Sequence, residues 1–350
     1  MPADHSHPRD GLRVGLVLGG GGVLGAAWLI GAMQALVEQT GWEPKTADYI
    51  VGTSAGSAVG ALVASGMPPW FLVYHQRGGP TEGMTDRYGK PMLGARETTP
   101  GLFKLTRNLP RLALGSPQLA MRTSLRPWRY PPAAALTGWL GRGFMSTDQV
   151  GRVVRSVVAE GWSDHPNLWI VAMDYSTGRR VVFGRDGAPA ADLWRAVEAS
   201  CAIPGMYAPV RIGGRTYVDG GAWSPSNLDL LSREDLDVVI VLNPTSSLNP
   251  GPPTTVLERV ERRVRAASGR RLSREARKVE ESGARVLLVQ PGAEDLAAMG
   301  INLMNPSRRT IVLETALRTT TARLLEDDAL DVLAKLPAAG QGTAPAGANN

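Results

Sequence analysis

Cysteine is nearly absent: Cys201 is the only one in 350 residues. No intrachain disulfide can form, so a disulfide-stapled scaffold is excluded, and a thiolate zinc centre goes with it. Histidine is scarce as well. His5, His7, His75 and His165 are the whole set, and the first two lie in a polar N-terminal stretch. Neither a metal nor an organic cofactor is expected. Charge is missing over the 24 residues Val14–Val37, a length that can span a bilayer. That stretch also holds Gly15, Gly19, Gly20, Gly21, Gly22, Gly25 and Gly31. Consecutive glycines make a poor helix interior, so a strand, a turn and a helix fit better than one membrane helix. Asp4 and Asp10 precede the stretch, which is too long and glycine-rich for a secretory signal. The expected location is the cytoplasm, with peripheral contact at a membrane.

Apolar residues make up 43% of the chain and charged residues 20%, enough for a sizeable core and against a largely disordered chain. The length allows one large domain or two ordinary ones. Net charge is +6 and unevenly placed: Arg87–Arg142 carries ten basic residues against one acid, Glu97. Such a balance attracts polyanions. Nucleic acid is not expected, because no recognised binding module presents these charges.

The pattern alternates strands with helices, which predicts an α/β fold with a mainly parallel sheet. Arg13–Leu18 reads as a buried strand, Gly19–Gly22 as a break, and Val23–Gln39 as a helix. Tyr49–Gly52 is a second strand, Thr53–Gly56 a tight turn, and Ser57–Ser65 a small-residue helix. Residues 67–145 lack a sustained period and read as a basic insertion or lid, with a short amphipathic helix across Leu102–Leu114. A helix follows at Thr147–Glu160, and a hairpin at Leu168–Asp174 and Arg180–Phe183. A helix at Asp192–Ser200 and short strands at Val210–Ile212 and Thr216–Val218 come next. Strands at Asp237–Leu242 and Arg285–Gln290 and helices at Val256–Glu281 and Ser307–Leu336 complete the pattern. Residues 1–11 and the low-complexity segment 337–350 read as flexible tails around one domain, 12–336. The charged helix Val256–Glu281 mixes signs at helical spacing and reads as a surface helix.

Three segments carry chemistry. Gly52-Thr53-Ser54-Ala55-Gly56 fits G-x-S-x-G between a predicted strand and a predicted helix, the context of a nucleophile elbow. Gly52 and Gly56 leave room for the backbone to pass. Ser54 then presents its hydroxyl at the carboxyl end of the sheet, and the Ala55 N–H points at a developing oxyanion. The second segment is Gly19-Gly20-Gly21-Gly22-Val23-Leu24-Gly25. Its G-x-G-x-x-G spacing admits a dinucleotide loop, but no acid ends the next strand, and Asp48 precedes that strand instead. Gly-Lys-Ser/Thr is absent, so it is not a Walker loop. An oxyanion hole beside Ser54 and a close-packed turn remain.

A serine nucleophile needs a base. No histidine follows His165, so the usual chain order of a Ser-His-Asp hydrolase is not met. His75 and His165 read as surface residues. The third segment, Asp219-Gly220-Gly221, follows a predicted strand. Its acid can point into the crevice that holds Ser54, although Asp-Gly is also a common turn.

Taken together, Gly20-Gly21-Gly22-x-x-Gly25, Gly52–Gly56 and Asp219-Gly220-Gly221 resemble the patatin-like phospholipase family. Ala199-Ser200-Cys201-Ala202-Ile203-Pro204 resembles its A-S-x-A-I-P segment, and Asp174–Gly178 its D-x-x-T-G hairpin. The similarity spans about residues 13–65 and 146–290. It implies a three-layer patatin-like sandwich. It also implies lipid acyl hydrolysis by a Ser54–Asp219 dyad without histidine, with an oxyanion hole at Gly20, Gly21, Gly22 and Ala55. The substrate would be a lipid or another ester. One position departs from the family. Leu24 stands where an arginine or lysine is usual, which keeps open a catalytically weak lipid-binding or scaffolding protein on the same fold. The basic segment, with Phe103, Trp128, Tyr130 and Trp139, suits an anionic membrane surface.

Overall fold

A computed structural model describes residues 11–79, 115–247, 252 and 255–337. The two predicted tails, apart from residues 11 and 337, and the predicted helix at Leu102–Leu114 lie outside these residues.

Strand β1 (Val14–Leu18) is apolar at every position because both of its faces are covered. Leu16 and Leu18 enter one core, and Val17 enters another. The same alternation runs along β2 (Tyr49–Thr53), β3 (Leu168–Asp174) and β7 (Val238–Leu242). Two buried faces mean three layers. The larger core is covered by α1 (Gly22–Thr40), α2 (Ala55–Ala64), α3 (Pro69–Gln76), α6 (Asp148–Arg155), α7 (Leu193–Ser200) and α10 (Arg309–Leu324). The smaller is covered by the short helical turn Leu228–Arg233 and by α8 (Val256–Glu280), through Leu272, Ala276 and Val279. The remaining helices are α4 (Pro117–Leu125), α5 (Pro132–Thr137), α9 (Ala293–Met299) and α11 (Asp327–Leu333).

The sheet has eight strands and is mainly parallel at its centre, where β3, β2, β1, β7 and β8 (Arg285–Val289) pair in that order. β4 (Arg180–Phe183), β5 (Val210–Ile212) and β6 (Arg215–Asp219) join antiparallel. The register along β3 decides where the site forms. β4 occupies one edge of β3. On the opposite edge, Val171 pairs with Thr53 of β2, while the next residue, Ala172, pairs with Asp219 of β6. β2 and β6 therefore meet head to head on one edge, their carboxyl ends about 3.3 Å apart in strand rise.

The uncharged run Val14–Val37 is strand, turn and helix, as the sequence predicts, whereas several other boundaries are corrected. Among the described residues no helix is long and apolar enough to cross a membrane. The stretch read as an insertion from residue 67 begins with α3, whose Leu72 and Val73 are buried in the main core. The helix expected over Thr147–Glu160 is regular only to Arg155. The helix expected over Ser307–Leu336 breaks at Leu325–Glu326 into α10 and α11. Helix α9 was not foreseen. Its Asp295 accepts hydrogen bonds from the Gly292 N–H (2.9 Å), the Trp28 indole (3.1 Å) and the Thr319 hydroxyl (2.8 Å).

Candidate active site

Ser54 lies between β2 and α2 with φ 52° and ψ −121°, a left-handed conformation that costs a non-glycine residue about 1–3 kcal/mol. The surroundings hold it there. Its N–H donates to the Ser200 hydroxyl (2.9 Å), which itself donates to the Val171 carbonyl (2.6 Å). Its carbonyl accepts from the Ser57 N–H and from the Ser57 hydroxyl. The turn is too crowded for side chains on either side. A Cβ on Gly56 would stand 2.0 Å from the Leu18 carbonyl oxygen, and one on Gly52 would stand 2.6 Å from the Ser57 Cα.

Asp219 ends β6 beside this turn. Its N–H donates to the Ala202 carbonyl (2.9 Å), and its Oδ1 accepts the Gly221 N–H (2.7 Å). One short segment at the end of α7 thus fixes both partners, Ser54 through Ser200 and Asp219 through Ala202. Asp219 is buried, and burial pushes its carboxyl up to about 6; the Ser54 hydroxyl and the Gly221 N–H pull the other way. A carboxylate so raised is a stronger base than an exposed one.

Two helices begin at the serine, α2 at Ala55 and α1 at Gly22. Their N-terminal dipole ends favour negative charge there. The N–H groups of Gly21, Gly22 and Ala55 have no acceptor among the described residues. Gly20 is a correction to the sequence expectation. Its N–H donates to the Pro225 carbonyl (2.9 Å), so it is not free to bind an oxyanion. Gly20 serves by its smallness instead, since a Cβ there would lie 3.3 Å from the Ser54 Cβ.

Two cavities meet at Ser54, sharing Gly22, Ile203 and Met304. The first is apolar, walled by residues such as Val23, Ile30, Ala58, Leu62 and Val150, with Gln76 and Arg309 among its few polar residues. The second opens past Asp219 and Gly21 and is roofed by Leu136 and Leu140. Met304 and Leu303 come from a loop whose part in the site left no signal in the sequence. The Leu303 carbonyl accepts the Leu24 N–H (2.9 Å) and so ties that loop to α1.

Neither histidine lines these cavities. His165 is buried rather than exposed, with Nε2 2.8 Å from the Ala47 carbonyl and Nδ1 accepting the Asn167 N–H, and burial lowers its pKa. Cys201 borders the first cavity. Burial and the nearby Asp219 hold its thiol well above its ordinary value, so it stays protonated. Asp174 is buried, which would raise its pKa. Hydrogen bonds from Ser176 and Thr177 outweigh that and hold it low, as the cap of the β3–β4 hairpin. Leu24 is buried in the main core, so no cation stands at that position. Among the described residues no three His, Cys, Asp or Glu side chains gather to hold a metal ion.

A three-layer sheet with a strained serine turn facing a strand-end aspartate defines a recognisable class. The family model described as Patatin-like phospholipase matches residues 16–232, and the chain belongs to the patatin-like phospholipase family. Curated relatives include uncharacterized NTE family proteins of Mycobacterium bovis and Mycobacterium tuberculosis, each 28% identical over 263 residues. That match takes in 73% of this chain and 57% of each relative, so the chain spans little more than half their length. Among solved structures, VipD from Legionella pneumophila is similar at 13% identity and a TM-score of 0.39, over 94% of this chain and 67% of that one. The ExoU–SpcU complex from the type III secretion system of Pseudomonas aeruginosa is similar at 21% identity and a TM-score of 0.30, over 94% and 58%.

Proposed function

We propose that the protein is a serine ester hydrolase that cleaves acyl esters of lipids. The Ser54 hydroxyl on its strained turn, set against the buried Asp219 carboxylate between two apolar cavities, carries this reading. Ser54 Oγ attacks the ester carbonyl carbon and its proton passes to Asp219. The carbonyl oxygen becomes an oxyanion and accepts hydrogen bonds from Gly21, Gly22 and Ala55. Collapse breaks the carbon–oxygen bond, and the alcohol leaves with the proton from Asp219. An acyl group remains on Ser54. Water then attacks it with Asp219 again as base, which releases the fatty acid and restores the serine. The apolar cavity beside α1 and α2 suits the acyl chain, and the cavity under α5 suits the leaving alcohol. Helix α5 and the residues just after it cover the second cavity, and Leu136, Trp139 and Leu140 there are exposed, as an enzyme working at a lipid surface requires.

Hydrolysis of a medium-chain p-nitrophenyl ester and of phospholipid vesicles by wild type, Ser54→Ala and Asp219→Ala tests the reading. Turnover falls at least about a hundredfold in each variant, with the circular dichroism of each unchanged. A folded wild type inactive on both substrates refutes hydrolysis and leaves a lipid-binding protein on the same fold, the reading that the buried Leu24 favours.

A further inference from the structure

A separate pocket lies on the outer side of the α4–α5 cap, lined by Arg122, Leu125, Arg126, Arg129, Tyr130 and Arg179. Three of the arginines come from the end of α4 and the turn Pro127–Arg129 after it. The fourth comes from the β3–β4 hairpin. The Tyr130 hydroxyl donates to the Thr177 carbonyl (3.2 Å), which brings them together. Beneath it, Leu119 and Tyr130 close over Gly178, whose φ of +67° and lack of a side chain the contact requires. The hairpin tip is therefore clamped under α4, with Arg179 beside the others.

Among the described residues none of the four guanidinium groups has a carboxylate partner, in contrast with Arg180 next in the chain, which is paired with Asp229 at 2.6 and 2.8 Å. The exposed carbonyls at the end of α4 account for Arg122 and Arg126, since cations are favoured there. They do not account for Arg129 or Arg179. Four like charges around one concavity repel one another unless an anion sits among them. Guanidinium forks match phosphate oxygens in pairs. The rim is not polar: Leu125 is 69% exposed, Trp128 78% and Met121 60%. A soluble anion has no use for such a rim, whereas a bilayer takes the apolar side chains while its phosphates meet the arginines.

We infer that the Arg122–Arg126–Arg129–Arg179 pocket binds the phosphate of an anionic phospholipid and docks the α4–α5 cap on a bilayer. This goes beyond the hydrolase reading and does not depend on turnover by Ser54. Cosedimentation of the full chain, as Ser54→Ala so that lipid is not consumed, with phosphatidylcholine vesicles containing phosphatidic acid tests it. Arg126→Gln with Arg179→Gln weakens binding roughly thirtyfold, while Arg259→Gln with Arg263→Gln on exposed α8 removes the same charge and costs less than about threefold. Arg126→Lys with Arg179→Lys keeps the charge but loses the fork, and falls between them. Equal losses in the two glutamine pairs overturn the pocket in favour of diffuse attraction. Calorimetric binding of soluble glycerol phosphate without recruitment to vesicles overturns the lipid as its source.

Discussion

Replacing Asp219 by asparagine separates catalysis from stability, and the two should move in opposite directions. The carboxyl titrates near 3.8 in the unfolded chain and at about 6 in the folded protein, because burial disfavours its charged form. Between those values the unfolded chain has released the proton and the folded one has not, so wild-type stability falls as pH rises through the window. Above about 6 the loss is complete, and at 1.36 kcal/mol per unit it amounts to about 3 kcal/mol. Asparagine has nearly the same shape, can still accept the Gly221 N–H, and carries no charge to bury. Asp219→Asn should therefore be inactive yet more stable than wild type by about 3 kcal/mol at neutral pH, with the gap closing toward about pH 4. Urea unfolding of both proteins across this range measures the gap, and subtracting one curve from the other cancels every other carboxylate. A gap that stays flat with pH, or a variant weaker throughout, refutes the claim that Asp219 is held in a desolvated, proton-loving site.

Other outcomes follow from the same geometry. Ester hydrolysis by wild type should fall about tenfold per unit below a limb near pH 6 in kcat/KM, because protonated Asp219 cannot act as a base; a rate independent of pH down to about 4.5 removes Asp219 from that role. Gly56→Ala should destabilise the fold by several kcal/mol, on the order of 3, because its Cβ meets the Leu18 carbonyl oxygen at 2.0 Å; thermal melting reads this directly, and an unchanged midpoint contradicts the packing. Ser200→Ala leaves the Ser54 N–H and the Val171 carbonyl without their shared hydroxyl, at a cost of about 1–3 kcal/mol. Because Ser200 holds Ser54, the proposed nucleophile, without lining either cavity, kcat should drop with KM nearly constant, and Ser200→Thr should restore part of it.

Much of the candidate site was legible from the chain. The β1 and β2 runs, the glycine turns that follow them and the acid ending β6 each carry a local requirement, whether for burial, for space or for a strand end, that residue types alone reveal. Gly52 and Gly56 stand where any side chain would strike backbone. The edges of the fold were less legible. Helix α3 hid in a stretch without a sustained period, and α10 and α11 shared one helical pattern whose break at Leu325–Glu326 no glycine or proline marks. The engaged N–H of Gly20 could not be read either, because its acceptor, Pro225, arrives from a distant loop.

The sequence by itself determined the layered α/β pattern, the strained serine turn and the want of a suitable histidine, since each depends on local periodicity, steric space or composition. Only the tertiary structure decided that Ser54 and Asp219 meet. Their meeting depends on β2 and β6 sharing one edge of β3 at successive residues, and on Ser200 and Ala202 fastening the two ends. Strand order and register come from pairings between segments far apart in the chain, which no short stretch of residues encodes. The same holds for Arg179, which joins the arginines of α4 only because Tyr130 clamps the hairpin beneath them.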